Sequence, residues 1–226
     1  MNINKYIAQA GVTSRRGADE LIKLGKVQIN GKLAKPIDKV TNTDQVFVNG
    51  KRVMPEAEKI YLLFNKPVGV ITTTDQNSPN NIIDAINYPK RVFPVGRLDV
   101  NTSGLILLTN DGDFAQRVEK GKTVEKEYKV EVDKTIDDDF LRNLEHGIKL
   151  DGYLTLPAKT KKIGDRSFTL IIREGRNRQV RRMCEYFGFN VTSLKRIRIS
   201  NLLLNDIKSG QYKKLDRNVI DQIFKM

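Results

Sequence analysis

An acid and a base stand two residues apart in Phe93-Pro94-Val95-Gly96-Arg97-Leu98-Asp99, and an apolar run, Ser103-Gly104-Leu105-Ile106-Leu107-Leu108-Thr109-Asn110, follows almost at once. Pro94 and Gly96 punctuate the first segment as a loop, and the run behind it has the length and composition of a buried strand. Catalytic side chains tend to sit on loops carried by a rigid sheet, because the scaffold fixes them while the tip stays open to a ligand. An ionised Asp99 in such a place would act as nucleophile or general base. A plainer reading fits equally well, with Asp99 as a turn residue paired to Arg97, since Asp bonds nearby backbone readily. The loop alone does not separate the two.

A second concentration of reactive side chains is Gly175-Arg176-Asn177-Arg178-Gln179-Val180-Arg181-Arg182-Met183. Residues 178–187 read as a helix in which Val180, Met183, Cys184 and Phe187 form an apolar stripe at i, i+3, i+4 and i+7. Arg178, Arg181 and Arg182 then share a face turned away from that stripe. From Arg173 to Arg198 there are eight basic residues and two acidic ones. Three like charges on one face repel unless an anion sits among them, and the planar guanidinium fork suits a carboxylate or a phosphate. The remaining inventory excludes more than it offers. With one cysteine, Cys184, and one histidine, His146, far apart in sequence, neither a disulfide nor a designed Cys–His pair is expected. A metal site of the His/Cys type lacks ligands, so no cofactor or metal is expected.

Charge names the class of partner. Lys and Arg number 40 against 27 acidic residues, a formal charge of +13, which points to a polyanion, above all nucleic acid. The chain is 226 residues long with 39% hydrophobic and 30% charged residues, enough apolar matter for one large or two ordinary folded domains. No apolar run approaches the roughly 18 residues of a membrane span, and Met1-Asn2-Ile3-Asn4-Lys5-Tyr6 lacks the apolar core of a signal peptide. No membrane partner and a cytoplasmic location are therefore expected.

Two sets of elements carry these features. Residues 4–10 and 14–24 read as short helices, the second with Ser14 as N-cap and with Ala18, Leu21 and Ile22 on a buried face; Gly11 separates the two and Gly25 stops the second. Alternating strands then flank Asn30-Gly31 and again Asn49-Gly50, the strongest short hairpin signal in a sequence. Lys5, Arg15, Arg16, Lys23 and Lys26 fall on polar faces or helix ends, where they can meet phosphates together. Residues 54–59, with Pro55 and alternating charge, read as a linker. The expected domains are thus 1–58 and 59–226. In the second, strands are expected at 60–64, 70–74, 105–109, 128–132, 167–173 and 191–199, with helices at 80–86, 113–120, 137–145, 178–187 and 218–224. That mixture indicates an α+β fold with a mixed, largely antiparallel sheet.

Gly96-Arg97-Leu98-Asp99 resembles the signature loop of the pseudouridine synthases, in the ribosomal-RNA branch that carries an N-terminal S4 domain. The same branch is resembled, in order, by Asn65-Lys66-Pro67-Val68-Gly69, Lys126-Glu127-Tyr128, the arginine-rich run from Gly175 to Met183, and Leu194-Lys195-Arg196-Ile197-Arg198-Ile199. The first 58 residues look like the S4 RNA-binding domain itself. The resemblance implies a long mixed sheet with a cleft across its middle and roles for particular residues. Asp99 matches the catalytic aspartate, Arg181 the arginine paired with its carboxylate, Tyr128 the ring that stacks on an extruded base, and Leu194 an apolar wall. Gly96, Arg97, Leu98, Arg178 and Gln179 accompany them at the substrate, and Arg182 joins Lys5, Arg15, Arg16, Lys23 and Lys26 on RNA. The implied substrate is a stem-loop of ribosomal RNA, nearest to the members that act on the large subunit, 23S.

The chemistry so implied is self-consistent. Swinging a base out of a stack costs a few kcal/mol, and cations on the backbone with an aromatic platform worth roughly 1–3 kcal/mol offset it. An arginine within about 4 Å holds the aspartate ionised. The uracil is detached, turned and rejoined through carbon, with no redox change and no second substrate. Attack at the sugar carbon and attack at the ring are both compatible with these residues. Two rivals share the charge pattern: the same chemistry on 16S RNA or transfer RNA, and a non-catalytic S4-type protein of ribosome assembly. The sequence shows no coiled-coil stripe, which suggests a monomer, and no long basic tail of the kind some members carry.

Overall fold

A computed structural model of the chain describes residues 1–121 and 124–224. It resolves into two compact units. One comprises Met1–Ile60 with Pro89–Arg91 and Asn110–Gly112, and the other comprises Tyr61–Tyr88, Val92–Thr109 and Asp113–Met226. Among the described residues no helix is long and apolar enough to cross a membrane.

The N-terminal unit is built from local signals. Helix α1 (Ile3–Gln9) precedes α2 (Arg15–Lys23), whose first turn is capped where Ser14 Oγ accepts the Gly17 N–H at 3.0 Å. Strands β1 (Val27–Ile29) and β2 (Lys32–Leu33) pair across Asn30-Gly31, and β3 (Val46–Val48) and β4 (Lys51–Val53) across Asn49-Gly50. Both Asn-Gly pairs lie wholly at positive φ, from 49° to 80°, as a tight turn matched to strand twist requires. The sheet order is β2-β1-β3-β4. Ile3, Tyr6, Ile7, Ala18, Ile22, Val27, Val46 and Val48 form its core, so both helices lie with their apolar stripes on the sheet.

The second unit carries one nine-stranded sheet. In chain order its elements are β5 (Tyr61–Lys66), α3 (Ile82–Ile86), β6 (Phe93–Val95), β7 (Ser103–Thr109), α4 (Gly112–Lys120), β8 (Lys126–Val132) and α5 (Asp138–His146), then the hairpin β9 (Lys149–Leu150) and β10 (Tyr153–Leu154). They continue as β11 (Lys159–Gly164), β12 (Ser167–Ile172), α6 (Gln179–Tyr186), β13 (Val191–Ile199), β14 (Leu202–Leu203), β15 (Tyr212–Lys214), α7 (Arg217–Asp221) and a final 3₁₀ turn (Gln222–Phe224). The strand order β11-β12-β8-β13-β7-β5-β15 is antiparallel throughout except between β13 and β7, which makes the sheet mixed. β5 is buried along all six residues, as expected of a strand covered on both faces. On one side Tyr61, Leu63, Leu105 and Leu107 pack with Phe114 and Val118 of α4 and with Ile220 and Ile223.

One expected strand is absent. Residues 70–74 hold only an isolated bridge from Ile71 to Asn81. The chain leaves β5 at Pro67 and turns at Gly69, φ +91°, and the Thr72 hydroxyl is then spent on another loop, as described next. Six short strands went unforeseen: β6, β9, β10, β11, β14 and β15. Most are two or three residues long, and β11, Lys159–Gly164, is a lysine-rich sheet edge that composition disguises as loop.

Candidate active site

A cleft of about 1110 Å³ opens in the second unit, lined by the loop from Gly96 to Thr102, by β8 through Lys126 and Tyr128, by β13 through Leu194 and Arg196, and by residues 175–180. Its floor is set by strand register. Tyr128 of β8 stands opposite Arg196 of β13, and Leu194 opposite Val130. Arg196 in turn stands opposite Gly104 of β7. A side chain at Gly104 would meet the Arg196 carbonyl oxygen at 2.2 Å, and its φ is +103°, so only glycine lets β7 and β13 close here.

The loop that bears Asp99 is fastened along its whole length. Gly96, at φ +71°, donates its N–H to Glu119 Oε1 at 2.7 Å. The Thr72 hydroxyl donates to the Leu98 carbonyl at 2.7 Å and accepts the Leu98 N–H at 3.3 Å. Gly69 N–H donates to Val100 O at 2.9 Å, and Thr102 N–H to Asp99 O at 3.0 Å. Arg181 Nη2 completes the set on Asn101 O at 2.8 Å. Leu98 is 6% exposed and anchors the loop in the core. Bonds of this kind contribute about 0.5–1.5 kcal/mol each, so together they hold the backbone of Asp99 in one place.

Asp99 thus opens a turn, as the plainer reading had it, but through its backbone. Its side chain is half-buried in the cleft, and among the described residues no hydrogen bond or ion pair engages the carboxylate. Its charge still acts on two buried cations. Lys66 is 0% exposed and donates Nζ to Pro67 O and Val70 O at 2.9 and 2.8 Å. Burial pulls its pKa down to about 8, against the opposing pull of Asp99. Arg181 is 8% exposed. Burial lowers its pKa first and Arg178 next, while Asp99 again opposes.

Two expectations about the arginines need correction. An Arg181–Asp99 ion pair within about 4 Å is not formed among the described residues. The Arg181 fork is occupied by main-chain carbonyls instead, Nη1 on Val191 O at 3.0 Å and Nη2 on Asn101 O, while Nε is buried without a partner among the described residues. Nor do Arg178, Arg181 and Arg182 share an open face. Arg178 lies just outside the helix in a left-handed conformation, φ 49°, and pairs with Glu185 at 3.8 Å. Arg182 pairs with Asp151 at 2.6 Å. Only Arg181 turns inward, because α6 packs between β13 and the Asp99 loop. The repulsion anticipated for this helix is relieved by protein partners.

The other anticipated residues fall as follows. Tyr128, 7% exposed, and Leu194, 5% exposed, line the cleft. Arg97 and Arg178 line it from exposed positions. Gln179 is buried and cross-braces its rim, its amide NH₂ donating to Glu174 Oε1 at 2.7 Å and its oxygen accepting the Arg176 N–H at 3.0 Å. In the N-terminal unit Arg15, Arg16, Lys23 and Lys26 are exposed and Lys5 is half-buried. Cys184 is buried in its helix, its thiol pushed up to about 12, and is chemically inert there. Lys66, Thr72, Lys126 and Arg196 were not anticipated as site residues. Thr72 positions the Asp99 loop, Lys66 holds the turn from Pro67 to Val70, and the other two line the cleft.

Similarity to known proteins follows the same division. Residues 60–186 match the RNA pseudouridylate synthase family and residues 1–46 the S4 domain. The dual-specificity RNA pseudouridine synthase RluF of Salmonella typhi is 44% identical over 99% of the chain and 78% of its own length. The ribosomal large subunit pseudouridine synthase B of Bacillus subtilis is 42% identical over 98% and 94%. A crystal structure of a pseudouridylate synthase superposes with a TM-score of 0.72 at 29% identity, covering 99% of both chains.

Proposed function

Given that the chain belongs to the RNA pseudouridylate synthase family and is an RNA pseudouridine synthase with an S4 domain, we propose that it isomerises a uridine of ribosomal RNA, in 23S, to pseudouridine at the Asp99 cleft. The observation that carries this reading is the contrast at Asp99 itself: a backbone fastened by six hydrogen bonds and a carboxylate left without a partner among the described residues. Such an arrangement suits a group that must meet a ligand. The S4-type unit, residues 1–58, grips the RNA backbone through Lys5, Arg15, Arg16, Lys23 and Lys26, and residues 59–226 perform the reaction.

Placement in the cleft supports a role for each residue. Tyr128 supplies a flat platform on the cleft floor for the extruded base, and Leu194 walls it. Arg97 and Arg178, exposed at the rim, meet the phosphates that flank it. The carboxylate of Asp99 acts as nucleophile or general base and is released once the base has turned and rejoined through carbon. Lys66 and Arg181 place two buried cations within the field of that carboxylate. Arg181 also positions the loop through Asn101. The enzyme works as a cytoplasmic monomer.

The name of the Salmonella relative, a dual-specificity enzyme, supports a second reading with more than one RNA substrate, transfer RNA being the candidate. One experiment tests both. Pseudouridines are mapped in ribosomal and transfer RNA from cells lacking the gene, complemented with wild type or with Asp99→Ala. Loss of a 23S site, restored by wild type alone, is expected. An unchanged 23S map, or restoration by Asp99→Ala, refutes the reading.

A further inference from the structure

Arg196 is an unusual occupant of a strand at the middle of a sheet. It is 3% exposed and lines the cleft beside Tyr128, its cross-strand neighbour. Its Nε donates to Leu105 O at 2.7 Å, which fixes the fork in place, yet Nη2 is buried and has no partner among the described residues. Among the described residues no carboxylate stands within ion-pair distance of it. The nearby charge is another cation: Lys126, two residues before Tyr128 on the same strand, whose pKa is lowered by burial and then by Arg196. A strut between β13 and β7 would need only the Nε bond, and a neutral side chain would spare the strand a buried charge. An open, buried donor is costly until an acceptor arrives.

We infer that Arg196 reads the base, its unpartnered Nη2 donating to a carbonyl oxygen of the extruded uracil as that ring lies on Tyr128. This rests on the reading of the cleft as the uridine pocket. Guanidinium offers donors only. Uracil presents two carbonyl acceptors, O2 and O4, whereas cytosine replaces O4 with an amino donor. A fixed donor facing O4 therefore admits uracil and leaves cytosine with two donors opposed, the kind of mismatch that discriminates strongly in a buried site. Facing O2, it orients the ring without excluding cytosine.

The test uses the full-length enzyme and a synthetic stem-loop with the mapped target uridine, made with uridine, 2-thiouridine or 4-thiouridine at that position. Sulfur is a weak acceptor, so wild type should lose about tenfold or more in kcat/KM on one of the two thio RNAs, the cost of an open buried donor. Arg196→Met should be slowed by a similar factor on uridine and show no further penalty on that thio RNA. Arg196→Lys, which keeps a donor, should recover part of both. Penalties that multiply in Arg196→Met would overturn the inference. If that variant fails to fold, the wild-type series and Arg196→Lys still decide. An enzyme active on uridine and indifferent to both sulfurs overturns the role of Arg196 alone, while one inactive on unsubstituted RNA overturns the reading of the cleft and this inference with it.

Discussion

Cations in the two units live in opposite surroundings. Around the Asp99 loop Lys66, Arg196 and Arg181 are 0%, 3% and 8% exposed, and each is tied to main-chain carbonyls. In the N-terminal unit Arg15, Arg16, Lys23 and Lys26 stand exposed around α2. Buried charges bound to backbone cannot reorganise, so they set a field and a geometry. Exposed charges are mobile and screened, so they contribute affinity that salt removes. One residue class thus occupies two different settings, and the difference is made by what each strand or helix buries.

The sharpest way to break that division is Arg181→Met. It removes a buried charge and the clasp on Asn101 together, and turnover should fall by about 10²–10³-fold. RNA affinity, measured by filter binding, should change little. A variant that binds poorly but turns over normally would erase the distinction.

The reciprocal test replaces Arg15, Arg16, Lys23 and Lys26 together by Gln. The slope of log K against log salt should become shallower by about 0.7 per lost phosphate contact, with turnover at saturating RNA unchanged. A salt slope equal to wild type would mean that these cations do not touch RNA.

Thr72→Val sharpens the account of the loop. Two hydrogen bonds to Leu98 disappear while the volume is kept. A loss of about 1–3 kcal/mol in stability is expected by thermal denaturation, with a several-fold drop in kcat at unchanged RNA affinity. Full activity would show that the remaining fastenings suffice.

Lys66 gives the smallest and most specific effect. Its folded pKa, about 8, lies below the ordinary lysine value of 10.5, so between those limits the unfolded chain holds a proton that the folded chain has shed. Stability attributable to this group therefore rises with pH from about 8 to 10.5, and below 8 the cost of burying the cation is present in full. The stability of wild type relative to Lys66→Met should accordingly increase over that window in parallel urea titrations. A constant difference would show that the ammonium is not strained by burial.

What the sequence discloses divides along similar lines. The Asn-Gly hairpins, the Ser14 cap, the amphipathic helices and the long apolar strands are local signals, and they form where expected. The Asp99 loop is legible because Gly96 and the apolar run that follows mark a loop before a strand, although Pro94 itself lies in the short strand β6. Long-range facts are less legible. Lys66 ends a strand of six buried residues, but a lysine beside Pro67 reads as a surface loop until β5 is known to be covered on both faces. Helical spacing groups Arg181 with Arg178 and Arg182, but Arg178 lies outside the helix and only Arg181 turns inward, onto the carbonyls of Asn101 and Val191. Arg196 lies in a segment that resembles the family, and its i, i+2 relation to Leu194 on a strand places both on the cleft face. Arg181 and Arg196 are hard to foresee because each depends on a carbonyl brought from a distant segment, Asn101 and Leu105.

The most direct test of the central claim is a single-turnover assay of Asp99→Asn, with enzyme in excess over a ribosomal RNA stem-loop and affinity measured on the same preparation. Asparagine keeps the shape of the side chain and removes the charge, so RNA should bind within about twofold of wild type while no pseudouridine forms above background. Product formed at a rate within tenfold of wild type would contradict the assignment of the chemistry to that carboxylate.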